Sequence, residues 1–230
     1  MKIFLLLMLT LSLWANMGNI MAMKGSADVK RGTTTLSATN GMELERGDTL
    51  ITASKSRLQI MLQDETVITI GANSEFSFEE YLYDESKNSK LTMRAKRGFF
   101  RSVTGRIGKV APERFKVKTA SATIGIRGTD FSGDISEHSE LFKCYQGEIY
   151  IEFEGNTRTL DAGMMAEIFK GKIDIKERVD AIRLKSIDSQ MISPELISEI
   201  TQIAEDEDNQ AEDDTLDEPN SNPEDRQEQY

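Results

Sequence analysis

Residues with the chemistry for catalysis are sparse in this sequence of 230 residues. The single histidine, His138, lies in a polar stretch predicted to be a loop, and any Ser/His/Asp or Cys/His site would have to use it. No Gly-x-Ser-x-Gly nucleophile motif is present. We therefore interpret His138 as a solvated loop residue and predict that the chain is not an enzyme. A glycan-cleaving enzyme with paired carboxylates is the alternative, although no pair of acids stands out.

Metal and cofactor motifs are equally scarce. The only cysteine, Cys144, has no partner for a disulfide or a zinc site, and its alternation with Phe142 predicts a small buried thiol. The acidic C-terminal residues lack the spacing and the turn glycine of a calcium loop. Residues 105–109 resemble a phosphate loop only in part, because Val103 and Val110 replace the required glycine and Ser/Thr. The sequence therefore predicts no catalytic residue, no metal ligand and no cofactor.

The N-terminal residues 1–22 have the pattern of an export signal. Lys2 is followed by an apolar run over residues 3–14, and small residues at Ala15, Gly18 and Ala22 offer cleavage positions. The run is shorter than the roughly 20 residues that cross a bilayer. We predict cleavage between about residues 15 and 22 and a periplasmic or secreted protein. An uncleaved membrane anchor is the alternative.

The charge of the chain is concentrated at its C-terminal end. The sequence has 28 Lys and Arg against 39 Asp and Glu, a net charge of −11, and residues 205–230 hold 12 of the acids and one base. A segment so acidic and so poor in aliphatic side chains cannot bury enough surface to fold, which predicts a disordered tail at 205–230. Its charge also argues against a nucleic-acid partner.

A basic patch is predicted in the middle of the chain. Between Lys87 and Lys118 the sequence has 11 basic residues and one acid, Glu113. Alternate residues of a strand share a face, so part of this set would form a positive surface. We expect this surface to contact an envelope protein, an anionic envelope polymer or the chain's own tail in a salt-sensitive way. A solvated strand face is the alternative. The candidate patch residues are Arg94, Lys96, Arg97, Arg101, Lys116 and Lys118.

Residues 115–131 organise the middle of the chain. Apolar residues take odd positions up to 119, even positions from 120 to 126, and an odd position again at 131. A strand keeps its faces, so each change of parity requires a bulge or a turn. We predict two strands broken by a kink between Gly125 and Gly128, which carries Arg127 and Thr129.

The surrounding residues 23–170 predict an all-β domain. Apolar and polar residues alternate with a period of two in many short stretches, and turn residues separate these stretches. No long helical period is present. Residues 63–65, for example, are predicted to close a hairpin. The pattern is typical of an antiparallel sandwich or roll, or of a solenoid. Residues 171–204 predict a helical segment, in which Ser193 caps an amphipathic helix that docks on the sheet or offers its apolar stripe to a partner.

The same central residues carry a family resemblance. The sequence FKVKTASATIGIRGTDF at 115–131 resembles the central motif of FecR-type domains. Weaker companion motifs occur in the expected order at residues 47–52, 56–62, 66–74 and 147–151, so the resemblance covers roughly residues 25–169. The motif residues are Gly125, Arg127, Gly128, Thr129 and Phe131.

The resemblance implies a non-enzymatic role in protein interaction or sensing at the cell envelope. FecR-type sensors of iron uptake have a cytoplasmic segment before a membrane span, whereas here only Met1 and Lys2 precede the apolar run. We therefore expect an exported interaction module. A structural or adhesive envelope component and a membrane-anchored regulator are the alternatives.

For Arg127 we expect a guanidinium that donates hydrogen bonds to strand-end carbonyl groups and so fixes the kink, with contact to a ligand as the alternative. Ala120 departs from the family, which commonly has proline there. Asp64-Glu65 stands where Asp-Gly would make a tighter hairpin.

Overall fold

The computed structural model describes residues 16–177. Within these residues, fifteen strands form one open mixed sheet, with one five-residue helix, α1 (Arg106–Val110), and one 3-10 turn (Pro112–Arg114). The predicted all-β class is confirmed. The strands are β1 (Asn16–Lys24), β2 (Ala27–Arg31), β3 (Thr34–Ser37), β4 (Glu43–Glu45), β5 (Thr49–Thr52), β6 (Arg57–Leu62), β7 (Val67–Ile70), β8 (Glu75–Leu82), β9 (Lys90–Val103), β10 (Phe115–Lys118), β11 (Ala122–Ile135), β12 (Ser139–Phe153), β13 (Asn156–Asp161), β14 (Met164–Phe169) and β15 (Lys172–Glu177).

The main path of the sheet runs β15-β14-β12-β11-β10-β9-β7-β6-β1-β4. The strands β2, β3, β5 and β8 branch from it through the pair β8–β9, and β13 pairs with β12. Among the described strands, β9 and β10 form the one parallel pair. The predicted hairpin at 63–65 is confirmed as the connection between the antiparallel strands β6 and β7.

Three long strands change partners along their length. β9 pairs with β8 and β10 up to residue 97 and with β7 and β11 from residue 98. β11 pairs with β10 before its bulge and with β9 after it, and β12 pairs with β14 and then with β13. Each of the three strands has one glycine with a positive φ: Gly98 (85°), Gly128 (58°) and Gly147 (72°). These glycines permit the bends at which one strand passes from one part of the sheet to another.

The core contains a chain of phenylalanine rings. Phe100 contacts both Phe76 and Phe131, with ring centroids 5.6 Å and 5.8 Å apart. Gly133 faces the Phe100 ring, and a Cβ at this glycine would lie 2.4 Å from the ring edge. Because burial of each such side chain contributes about 1.5–3 kcal/mol, these contacts help to hold the two halves of the sheet together.

The break between the two strands of residues 115–131 does not lie between Gly125 and Gly128, where it was predicted. β10 and β11 are separated by residues 119–121, whereas the glycine kink is a bulge within the continuous strand β11. β12 pairs with β11 on both sides of the bulge, which keeps the strand whole. Gly125 lies in regular register opposite Lys116 and Tyr150 and is not part of the bulge.

The described β body is longer at both ends than the predicted domain of residues 23–170. β1 begins at Asn16 inside the predicted signal segment, and its residues Met17 and Ile20 are buried in the core. β15 extends to Glu177 because Ile173 and Ile175 alternate with charged residues, as an amphipathic strand requires. The rest of the predicted helical segment, the predicted tail and residues 1–15 lie outside the described residues. Within residues 16–177, no helix is long and apolar enough to cross a membrane.

Candidate functional site

The motif residues lie at the bulge of β11. The register between β11 and β12 shifts between Arg127 and Phe131, and Gly128 has a φ of 58°. Opposite it, a Cβ at Gly147 would lie 1.9 Å from the carbonyl oxygen of Gly128. The bulge therefore requires a left-handed residue on β11 and a position without a side chain on β12.

Thr129 fastens the bulge to the residue that follows β9. Its amide donates a 2.9 Å hydrogen bond to Thr104 Oγ1, and the Thr104 amide donates to the Thr129 carbonyl oxygen at 2.9 Å. The Thr129 side chain is buried, and its Oγ1 has no hydrogen-bond partner within the described residues. Phe131 turns into the core against Phe100. Thr129 and Phe131 thus hold the bulge in place.

Arg127 lies on the surface. The Arg127 side chain is exposed. Its guanidinium and the Glu148 carboxylate are the charged groups that interact with the Tyr150 hydroxyl. The hydrogen bond to Glu148 is the main cause that raises the pKa of Tyr150, and Arg127 acts in the opposite direction. In the part of the chain that the structure describes, no strand-end carbonyl group accepts a hydrogen bond from Arg127. The expected bonds that would fix the kink are therefore absent there.

Four residues of the candidate basic patch are paired with two acids of the neighbouring strand β8. Glu79 Oε2 lies 2.9 Å from Lys118 Nζ, and its other oxygen accepts from Arg94 Nε. These two cations hold the pKa of Glu79 below its usual range, the hydrogen bond from Lys118 being the largest cause. Glu75 in the same way lies 2.9 Å from Lys96 Nζ and 3.7 Å from Arg97 Nη2. The surface is therefore a row of mixed charges, because β8 brings acids to the basic strand.

Arg101, the fifth of the six, lies largely in the interior. It is 9% exposed and donates two hydrogen bonds to the Asp130 carboxylate, of 2.8 Å and 2.6 Å. Its guanidinium also lies over the Tyr145 ring, 4.6 Å from the centroid. A bidentate, partly buried pair of this kind ties β9 to the end of the β11 bulge.

Lys116, the sixth patch residue, is exposed on β10 and makes no ion pair within the described residues. It stands directly opposite Gly125, which in turn stands opposite Tyr150. Arg127 and Glu148 form the next registered pair on the same outward face of the sheet. We call these five residues, Lys116, Gly125, Arg127, Glu148 and Tyr150, the motif face.

Comparison with known protein families identifies the domain that contains the bulge and the motif face. The family model described as FecR protein matches residues 48–150, from the start of β5 to the second half of β12. The chain contains a FecR domain. The bulge, the motif face and the Arg101–Asp130 pair all fall inside this domain.

Two solved structures resemble the fold. Both are crystal structures of a candidate anti-sigma factor from Parabacteroides distasonis, with 16% and 15% sequence identity and TM-scores of 0.49 and 0.46. Each match covers 56% of this chain and 59% of that chain. No curated protein matches the sequence.

A second cluster in the FecR domain is centred on Asp64, a residue that the sequence indicated only as part of a hairpin. The Asp64 carboxylate is fully buried and accepts hydrogen bonds from the Thr66 hydroxyl at 2.7 Å and from the Ile107 amide at 3.2 Å. The Asp64 carbonyl oxygen also accepts from the Arg106 amide at 2.7 Å. A Cβ at Gly105 would lie 2.0 Å from that same carbonyl oxygen. Asp64 therefore fastens the loop after β9 to the β6–β7 hairpin, and an acid beside a turn threonine was the available signal.

A third cluster, also missed from sequence, lies at the start of the FecR domain. The buried Asp48 carboxylate accepts two hydrogen bonds from Arg31, of 2.9 Å and 2.7 Å, and a third from the Glu45 amide at 2.9 Å. Arg31 also pairs with the Glu45 carboxylate. The cluster joins β2 to the β4–β5 turn, and its spacing along the chain carries no local sequence signal.

The residues first considered for chemistry are far from a reactive arrangement. His138 is exposed in the loop between β11 and β12, as expected for a solvated histidine. Cys144 is buried as predicted, and burial raises the pKa of its thiol to about 11, which keeps it protonated near neutral pH. Within residues 16–177 no group of three or more His, Cys, Asp or Glu is placed to hold a metal ion.

Proposed function

We propose that the chain is an exported, non-catalytic regulatory module that acts by binding another protein at the cell envelope. The observation that carries this proposal is the FecR domain at residues 48–150. FecR-type proteins are generally regulatory, and the clusters around the bulge, Asp64 and Asp48 serve to hold a β scaffold together. Such a scaffold can present its outward faces and strand edges to a partner.

The position of β1 supports a specific form of the export proposal. Met17 and Ile20 of β1 are 1% and 0% exposed, and the strand pairs with both β4 and β6. Cleavage after Ala22 would remove most of this strand, whereas cleavage after Ala15 would leave it intact. We propose that the mature chain begins at Asn16.

The test is expression of the full chain with a C-terminal affinity tag in the cells that make it. After cell fractionation, the tagged protein is cross-linked, purified and identified together with its partner by mass spectrometry, and its N-terminus is sequenced. We expect an extracytoplasmic protein that begins at Asn16 and is cross-linked to a second protein. The exported tag alone is the control. A cytosolic protein that retains Met1, or one cross-linked to nothing beyond the control, would contradict the proposal.

A further inference from the structure

Gly125 is a glycine in the interior of a strand that has no structural need for one. Its φ is not positive, and its pairing with β10 and β12 is regular. A Cβ built at Gly125 meets no atom closer than the Tyr150 Cβ at 4.0 Å, so a side chain would fit. Glycine in a strand interior weakens the strand, and one recognised reason for it is the close approach of a ligand or of another backbone. Gly128 and Gly147, by contrast, are explained by the bulge itself.

Two cations border the open position above Gly125. Lys116 lies directly opposite it on β10, and Arg127 follows two residues later on β11, on the same face. Both residues are exposed, and neither forms a salt bridge within the described residues. Lys116 has no ion-pair partner among the described residues, and the Arg127 guanidinium interacts with the Tyr150 hydroxyl of the neighbouring strand.

The other border of the motif face consists of Tyr150 and Glu148 on β12. Tyr150 stands directly opposite Gly125, with its Cβ 4.0 Å from a Cβ built at that glycine, and Glu148 lies two residues away on the same face. The floor of the motif face is thus a glycine backbone, with cations at two corners and an aromatic side chain at one side.

We propose that the motif face binds an extended acidic segment of a protein partner, with carboxylates two residues apart. This inference rests on the proposed function, because it names the surface and the kind of segment through which the partner is bound. One carboxylate pairs with Lys116 and the other with Arg127, while the peptide backbone passes over Gly125 beside the Tyr150 ring.

Distances favour this occupant. Diagonal neighbours on adjacent strands, such as Lys116 and Arg127, have backbones about 7–8 Å apart. Side chains two residues apart on an extended peptide are separated by about 6.6–6.8 Å. Consecutive acids on such a peptide point to opposite faces, so a segment that alternates acidic and polar residues fits two cations on one face.

The test uses the full mature chain and blocked, fluorescein-labelled decapeptides, with binding followed by fluorescence anisotropy. One probe alternates Glu with Thr, and the matched control alternates Gln with Thr. A labelled oligogalacturonate with the same number of carboxylates represents an acidic glycan. We expect the Glu peptide to bind, the Gln peptide to bind at least tenfold more weakly, and binding of the Glu peptide to weaken as salt is raised. Binding of the glycan without the Glu peptide, or no binding of the Glu peptide, would overturn the proposal.

Three variants connect binding to the motif face. Lys116→Gln and Arg127→Gln are each expected to weaken binding of the Glu peptide about three- to tenfold, as loss of one exposed charge pair predicts. Gly125→Thr adds a residue suited to strands and is expected to fold as stably as the parent while weakening binding at least tenfold. Lys30→Gln, at an exposed lysine of β2, is the control and should bind like the parent. Equal binding by Gly125→Thr and the parent would overturn the proposal.

The same variants separate this inference from the proposed function. If the parent chain is cross-linked to a partner in cells and Gly125→Thr is cross-linked equally well, the interaction module stands and the motif face is not its contact. If the parent is cross-linked to nothing, the proposed function itself fails.

Discussion

Glycines in this chain play different roles that only their surroundings reveal. Gly147 and Gly163 both have positive φ, of 72° and 89°. A Cβ at Gly147 would collide with the Gly128 carbonyl oxygen at 1.9 Å, whereas one at Gly163 would meet nothing within 4 Å. The two positions therefore allow the effect of a steric collision to be separated from that of backbone conformation.

We expect Gly147→Ala to lower the free energy of unfolding by about 3 kcal/mol or more, since strain from positive φ adds to overpacking against a backbone atom. Gly163→Ala shares the strain without the collision and should cost only about 1 kcal/mol. Urea unfolding of the three chains measures both values. Equal losses for the two variants would show that the Gly128–Gly147 contact has no energetic weight.

The β6–β7 turn contains a residue whose replacement by glycine should stabilise the chain. Glu65 adopts a φ of 67°, a left-handed conformation that is unfavourable for a residue with a side chain. Its carboxylate pairs with Arg106, but both side chains are about half exposed, at 49% and 46%, so the pair contributes little. We expect Glu65→Gly to raise the free energy of unfolding by up to about 1 kcal/mol. Thermal unfolding measures this change, with Glu65→Gln as the control that removes the charge alone. A Glu65→Gly chain less stable than Glu65→Gln would refute the argument.

The buried carboxyl group of Asp64 gives a prediction for pH. Desolvation raises the pKa of Asp64, and the hydrogen bonds from Thr66 and Ile107 offset this only in part. A folded-state pKa above the unfolded value means that the contribution of Asp64 to stability is present when the group is protonated and is lost as the pH rises through the folded pKa. We therefore expect the stability of the parent chain to fall relative to Asp64→Asn as the pH rises from about 4 to about 7. Denaturant unfolding of both chains across this range is the measurement. A difference that does not change with pH would contradict the raised pKa.

At the scale of secondary-structure elements, the strand β8 determines how much of the positive charge of the candidate basic patch is paired with acids. Glu79 is shared by Arg94 and Lys118, and Glu75 by Lys96 and Arg97. These pairs are partly exposed, so their contribution to stability is small, but the two carboxylates offset part of the positive charge that the sequence of β9 and β10 predicts.

Replacement of Glu79 should therefore restore a positive surface with little effect on folding. We expect Glu79→Gln to change the free energy of unfolding by less than about 1 kcal/mol. The variant should elute from a heparin column at higher salt than the parent chain, because two cations lose their partner. Glu43→Gln, at an exposed acid of β4, which does not pair with β8, controls for the change in net charge. Equal elution of Glu79→Gln and Glu43→Gln would show that β8 does not set the potential of this surface.

At the scale of the whole molecule, the sheet depends on its first described strand. β1 joins β4 to β6 and buries Met17 and Ile20, so a chain without it leaves the edge of β6 and part of the core exposed. A chain that begins at Met23 should be less stable than one that begins at Asn16 by about 3–6 kcal/mol, the value of two buried side chains. Urea unfolding of the two purified chains provides the measurement. Similar stability of both would remove the structural argument for processing before Asn16.

Much of the scaffold was accessible from the sequence because alternation and turn chemistry are local. The hairpin at residues 63–65, the inward faces of strands such as β10 and β12 and the change of parity within residues 115–131 all follow from local residue types. The alternation of Ile173 and Ile175 was equally local and could have extended the domain to β15. The FecR motif and its companion motifs could also be recognised in the expected order along the sequence.

Which strands become neighbours was decided only by the tertiary structure. Glu79 meets Lys118 from 39 residues away, and Asp130 meets Arg101 from 29 residues away, so the charge count along one segment overstated its positive surface. The need for Gly147 arises from a carbonyl oxygen on another strand. The physical reason is that a side chain's neighbours on its own strand fix which face it takes. Its partners across the sheet depend instead on how all strands together bury their apolar faces.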